Sequence, residues 1–476
     1  MKSHFCAVKF LSILTLLSVC GQPSSAQAES GLPRHDAQRT GLTQGASDLS
    51  APETFWRVYL GGSLGASALL VADVDGAGEP EVVFVSGGRI VVKTSLGQEV
   101  WASDPLGIGF LVGIEDVDGD AQLDVVASSN NQVYVLRASD GEIEWAEPSG
   151  EMGSIGGVRL GDLDGDGLSE VVIEECACCG VNSGNPGYVY SFGAGFGAPT
   201  MLWEFPFARC GGGRALTLVN ADGLGPYEVL ISDSLQLALF DGASGVELGR
   251  TPNMWEWIYG SNCQPIDVDA DAGEELVCVQ NVDLNLVSNV RTLFVLDYDA
   301  TNSALNILWS VVLTPNDGGG IAFTQPAVDL DLDGSVDIVL ASLEAAMWTT
   351  RVFDSLTGTE LGSASGQKFA GTAVRPDGSS LILTTSAGML TAYDFDATRT
   401  PALETRWATP DRAPIDELDS EMRKRSALAS RVLMNDTDGD GNAELYLAKV
   451  SEGDAIYAYN LVAGLPAVVD TFAYPS

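Results

Sequence analysis

Histidine is almost missing from this sequence. His4 and His35 are the two copies, and both precede the first segment with any periodic pattern. That absence excludes a Ser-His-Asp or Cys-His nucleophile pair, an imidazole general base and His-ligated zinc from the body of the chain. Cationic side chains are scarce too: 24 Lys+Arg stand against 65 Asp+Glu, a net charge of −41 over 476 residues. A surface of that sign repels phosphate backbones and anionic lipid, so neither nucleic acid nor an anionic membrane is an expected partner. Long apolar runs are missing as well. Phe10 to Val19 is too short to span a bilayer and no other run approaches the needed length, so no transmembrane segment is expected. What is present is 45% apolar residues, enough for a large core. Chemistry in such a chain falls to carboxylates, tyrosines, thiols, a few cations or a cofactor.

Residues 1–28 read as a secretory signal, with Lys2 and Lys9 ahead of the apolar stretch and Ala26-Gln27-Ala28 as the small-x-small cleavage site. A competing reading ends the signal at Leu17-Ser18-Val19-Cys20, which resembles a bacterial lipobox and would leave a lipid anchor on Cys20. Both place the protein outside the cytoplasm: secreted, periplasmic or at the cell surface. Residues 29–53 form a Ser-, Gly- and Gln-rich flexible leader. Six cysteines follow the signal, at 176, 178, 179, 210, 263 and 278, and an even number in an exported chain favours disulfides. Cys263 and Cys278 flank one acidic loop almost symmetrically and are expected to staple it.

That acidic loop recurs. Five copies are complete: Asp116, Asp118, Asp120 and Asp124; Asp162, Asp164, Asp166 and Glu170; Asp267, Asp269, Asp271 and Glu275; Asp329, Asp331, Asp333 and Asp337; Asp436, Asp438, Asp440 and Glu444. Two copies are eroded at the fifth position, where Ala77 follows Asp73 and Asp75, and Leu224 follows Asn220 and Asp222. Each loop lies between two β-branched runs, such as Phe110 to Ile114 and Val125 to Ala127, followed by a third run and a turn. The period is about 52 residues, with four short strands in each. Such a period predicts an all-β fold, a single β-propeller over residues 54–476, with eight blades expected and seven the alternative. Trp56 precedes its loop by the interval seen at Trp145 and Trp203, so the chain enters on an outer-strand sequence. Either that strand or Val468 to Tyr474 completes the final blade.

Carboxylates at positions 1, 3, 5 and 9 aim several hard oxygens at one centre, which is what calcium takes. About five Ca2+ ions are expected, at the five complete loops, in a structural role. This is not an EF-hand, since position 12 falls on Ala127, Ile173, Cys278, Leu340 or Leu447. A closing acid at position 9 followed at once by a strand resembles the integrin α-subunit propellers and the bacterial FG-GAP or VCBS repeats. The resemblance implies that positions 1, 3, 5 and 9 are side-chain ligands and that each loop joins the first and second strands of a blade. Phe-Gly and Gly-Ala-Pro elements do not recur in register, which favours the bacterial branch.

The long insertions 176–186, 205–213, 252–262 and 408–430 fall on the face away from the acidic loops, where ligand contacts are expected. Trp255, Trp257 and Tyr259 read either as ring packing between blades or as a platform for a sugar or peptide. Arg423-Lys424-Arg425 lies in a segment of helical composition, a solvated face or a site for an acidic partner. The fourth-strand tryptophans at 101, 145, 203, 309 and 407 read as core. The expected function is a non-catalytic, calcium-stabilised binding or adhesion module for a glycan or protein ligand. A polysaccharide lyase-like enzyme is the alternative, and a quinoprotein-like dehydrogenase a further one, because Phe353 to Gly358 and Arg137 to Trp145 resemble that repeat.

Overall fold

The computed structural model describes residues 53–59, 69–129, 131–147, 154–176, 185–192, 199–207, 216–233, 236–252, 262–269, 271–280, 291–313, 321–322, 327–330, 332, 334, 336–344, 347–374, 379–386, 389–408, 432–435, 444–449 and 455–460. Every regular element among them is a β-strand, and none is a helix long and apolar enough to cross a membrane. The strands group into eight antiparallel units of four. The first comprises Leu69–Ala72, Glu81–Ser86, Arg89–Lys93 and Glu99–Ala102, hydrogen-bonded in chain order. The fourth and fifth units merge into one sheet through a single parallel bridge, Arg250 to Ala304. In the sixth, the innermost strand is split into Ile321–Ala322 and Ala327–Val328, both paired with Asp337–Glu344.

Burial explains the strand sequences. Second strands such as Glu81–Ser86 and Asp124–Ser128 are buried along their whole length, because each sheet is covered on both faces by its neighbours. They therefore read as continuous apolar runs instead of alternating ones. Outer strands alternate or are exposed, as in Glu99–Ala102 and Glu360–Ser365. The core is a series of apolar layers between adjacent units; one layer joins Val126, Val133 and Val135 to Val158, Val171 and Ile173.

The ring closes through the N-terminal strand. Glu53–Tyr59 pairs antiparallel with Ala455–Asn460, from Glu53 opposite Asn460 to Tyr59 opposite Ala455, and becomes the fourth strand of the last unit. Its innermost strand, Val432–Asn435, lies against Leu69–Ala72 of the first unit. Of the two sequence alternatives the structure takes residues 53–59; residues 468–474 lie outside the described residues. Closure of this kind makes the fold a β-propeller and removes the exposed edges of an open sheet.

The fourth-strand tryptophans lock neighbouring units together. Trp101 Nε1 donates to the Ala138 carbonyl (2.8 Å), Trp203 Nε1 to Gly242 (2.6 Å) and Trp309 Nε1 to Ser355 (2.7 Å). In each case the glycine three residues beyond the acceptor, Gly141, Gly245 or Gly358, has a left-handed φ and sits against the ring. A Cβ on Gly245 would lie 2.5 Å from Trp203. Gly245→Ala should therefore destabilise by roughly 2–4 kcal/mol, combining backbone strain with overpacking. Gly87→Ala, also left-handed but with open space around its Cβ, should lose only about 1 kcal/mol; chemical denaturation midpoints compare the two. Trp145 packs tilted against Tyr190 and edge-on against Phe192 of the next unit, with ring centroids 5.5 and 5.1 Å away.

Cys263 and Cys278 face each other across the first two strands of the fifth unit and form a disulfide. Both are buried, and the bond closes 15 residues around one acidic loop. Replacing both with alanine should reduce unfolding free energy by about 3 kcal/mol, read as a lower thermal midpoint. The other expected disulfide partners, and the segments 255–259 and 423–425, lie outside the described residues or have undescribed side chains.

Candidate metal centres

Each acidic loop connects the first and second strands of its unit, and the described loops are shaped by their own carboxylates. In loop 116–124, Asp116 accepts from the Gly119 and Ala121 amides at 2.7 and 2.9 Å. Asp118 accepts from Asp120 N (3.1 Å), and Asp124 from Val117 N (3.1 Å). The same pattern recurs around the ring. The position-9 carboxylate accepts the position-2 amide at Glu81 (3.1 Å), Glu170 (2.7 Å), Glu228 (2.7 Å), Glu275 (2.8 Å) and Asp337 (3.2 Å). These bonds fix the closing acid as the first residue of the second strand. The sixth loop position is left-handed at Gly78, Ala121, Gly167, Gly225 and Gly334, and the fourth at Gly76, Gly119, Gly165 and Gly223, where glycine adopts it without strain. Leu332 holds the same position with φ 62° and is exposed. Leu332→Gly should raise stability by about 1 kcal/mol, seen as a higher thermal midpoint.

Among the described residues, carboxylate oxygens converge in four of these loops, lying within 4.8 Å of one another. The groups are Asp73, Asp75 and Glu81; Asp116, Asp118 and Asp124; Asp162, Asp164 and Asp166; Asp267, Asp269 and Glu275. The first belongs to a loop with no acid at its fifth position, yet its three motif acids lie within the same distance of one another as those of the complete loops. Its signal was already in the sequence, since positions 1, 3 and 9 are all acidic. Three expected ligands stand apart from their groups. Asp120 accepts from the Gln122 amide and side chain, Asp271 accepts from Gly273 N, and Glu170 is held by Leu163 N. Asp329 keeps its bond from Gly334 N (3.0 Å). Asp331, Asp333, Asp436, Asp438 and Asp440 lie outside the described residues, and of Glu444 only the backbone is described.

Burial strains these carboxylates electrostatically. Glu81, Glu170 and Glu275 are each pushed up to about 7, first by burial and then by the charges of the loop aspartates. Asp124 rises to about 8, with burial the main cause and Asp118 and Glu144 adding to it. Two buried oxygens, Asp73 Oδ1 and Glu170 Oε1, have no hydrogen-bond partner. A cation relieves both the repulsion and the missing bonds, and a set of converging carboxylate oxygens suits calcium. The residues fit the ion.

Residues 116–173 match the family model of the FG-GAP-like repeat. No curated protein matches the sequence. Among solved structures, BamB from Moraxella catarrhalis is 12% identical with a TM-score of 0.50, covering 88% of this chain and 100% of its own. Sqt1 from Saccharomyces cerevisiae is 10% identical with a TM-score of 0.52 and coverages of 86% and 98%. The exotype rhamnogalacturonan lyase YesX is 16% identical with a TM-score of 0.50 and coverages of 87% and 75%. At these identities the likenesses speak for the fold alone.

Proposed function

We propose that this FG-GAP-repeat β-propeller is an exported, calcium-pinned binding module that takes a glycan or protein ligand on the face opposite its metal loops. The observation that carries the reading is the convergence of carboxylates in four loops at the same end of their sheets. Calcium there cross-braces the first two strands of a unit and neutralises charge. The ions are held by the five complete loops and by Asp73, Asp75 and Glu81, which brings the expected number from about five to about six. The Cys263–Cys278 bond supports an oxidising compartment, in keeping with removal of residues 1–28 or with lipidation of Cys20. The opposite face holds the second-to-third strand turns and the connections between units, the class of loop that carries binding on a rigid scaffold.

A glycan array and a uronic-acid lyase assay on the mature protein test this reading together. Binding without release of unsaturated sugar is expected. Unsaturated product that disappears on replacing lysines or arginines of that face would replace it with a lyase.

A further inference from the structure

Four consecutive loops are bonded to one another through their eighth residue. Ser169 Oγ donates to Glu115, the residue before Asp116. The Tyr227 amide donates to the Asp162 carbonyl (3.3 Å), and the Glu274 amide to the Asn220 carbonyl (2.9 Å). Glu274 Oε2 also accepts the Asn220 amide at 2.8 Å. The packing is tight: a Cβ on Gly223 would lie 2.4 Å from the Ala272 carbonyl.

Loop 220–228 is the unusual member of this chain. It keeps the internal hydrogen bonds of the others, with Asn220 accepting from Gly225 N (3.0 Å), Asp222 from Leu224 N (2.8 Å) and Glu228 from Ala221 N. Of its four motif positions only two carry acids, Asp222 and Glu228, where each neighbouring loop has four. It is joined on one side to loop 162–170 and on the other to loop 267–275.

We propose that Glu274, which the metal motif does not include, is a positioning residue that transmits cation binding at loop 267–275 into loop 220–228, making the latter a metal-free bridge between two metal loops. The proposal rests on the calcium reading above. Its physical basis is direct. Glu275 is a member of the converging group, so ordering it on a cation orders Glu274 beside it. Glu274 grips both backbone polar groups of Asn220, and Asn220 stands where the other loops have their first aspartate. A rigid Asn220 in turn fixes Gly225, two residues before Tyr227 and its bond to Asp162.

Amide hydrogen exchange on the full chain, with calcium chloride or with EGTA, tests this. Calcium should slow exchange at Ala221 and Gly225 by about tenfold, a typical coupling between linked sites. Glu274→Gln keeps the acceptor and should keep that protection, whereas Glu274→Ala should lose it while loop 267–275 still responds. Asp222→Asn should leave it unchanged; loss in that variant would mean loop 220–228 binds its own ion, overturning the bridge. Protection in loops 116–124, 162–170 and 267–275 with none in 220–228, or equal behaviour of the Ala and Gln variants at Glu274, would also overturn it while leaving the calcium reading intact. No response in any loop would remove the calcium reading and the bridge together.

Discussion

Transfer from calcium into EGTA is expected to lower the melting temperature by on the order of 10 °C. An ion that binds the folded chain at a hundredfold excess over its dissociation constant stabilises by about 2.7 kcal/mol per site. The four converged groups would together contribute about 11 kcal/mol. For a propeller of this length, with an unfolding entropy of roughly 2 cal/mol/K per residue, that corresponds to the shift stated. Magnesium should restore little of it, since that ion demands near-ideal octahedral geometry and gives up water reluctantly. Differential scanning calorimetry in the three conditions reads the result; a midpoint unaffected by EGTA would remove calcium from the account.

The second large effect is a reversal of pH dependence. In the metal-free protein, Glu81, Glu170, Glu228 and Glu275 are held at about 7, above the ordinary value of 4.5, chiefly by burial. A carboxylate raised on folding favours the folded state in acid. Its contribution is complete below about 4.5 and is lost as pH rises through about 7, with a limiting slope near 1.4 kcal/mol per pH unit for each group. The metal-free form should therefore melt at a higher temperature at pH about 5 than at pH about 8. Calcium competes with those protons, so its stabilising increment should grow over the same interval and offset or invert the trend. Thermal melts across that range, with calcium and with EGTA, give both curves. A metal-free midpoint that rises steadily with pH would contradict the burial of these acids.

The loops were legible because their information is local. Nine residues carry the ligand spacing, the turn glycines and the strand that follows, and the hydrogen bonds from Val117 to Asp124 and from Leu163 to Glu170 all close within that window. Tryptophan spacing likewise announced the outer strands. What could not be read was non-local. Pairing of Glu53–Tyr59 with Ala455–Asn460 joins segments about 400 residues apart, and two sequences had equal claim to that edge. The acceptors of Trp101, Trp203 and Trp309 lie in the following unit, so spacing identified the rings but not their locks. Which acids lie closest together was likewise not legible from their count. Asp73, Asp75 and Glu81 converge without a fifth-position partner, while Asp120 and Asp271 turn to amides two residues on. Asp166 accepts the same bond, from Leu168 N, and still belongs to its group, so membership turns on small differences in loop geometry that spacing does not encode. The seam through Ser169, Tyr227 and Glu274 was invisible for the same reason, since the eighth position has no shared residue type.

Calcium stoichiometry decides whether these loops hold metal. Equilibrium dialysis of the purified mature chain at neutral pH, before and after EGTA, should show at least four ions per chain, one for each converged group, and a loss of one on replacing Asp73 and Asp75 together with asparagine. A chain that holds no EGTA-sensitive calcium would contradict the reading of these loops as the metal sites that pin the propeller.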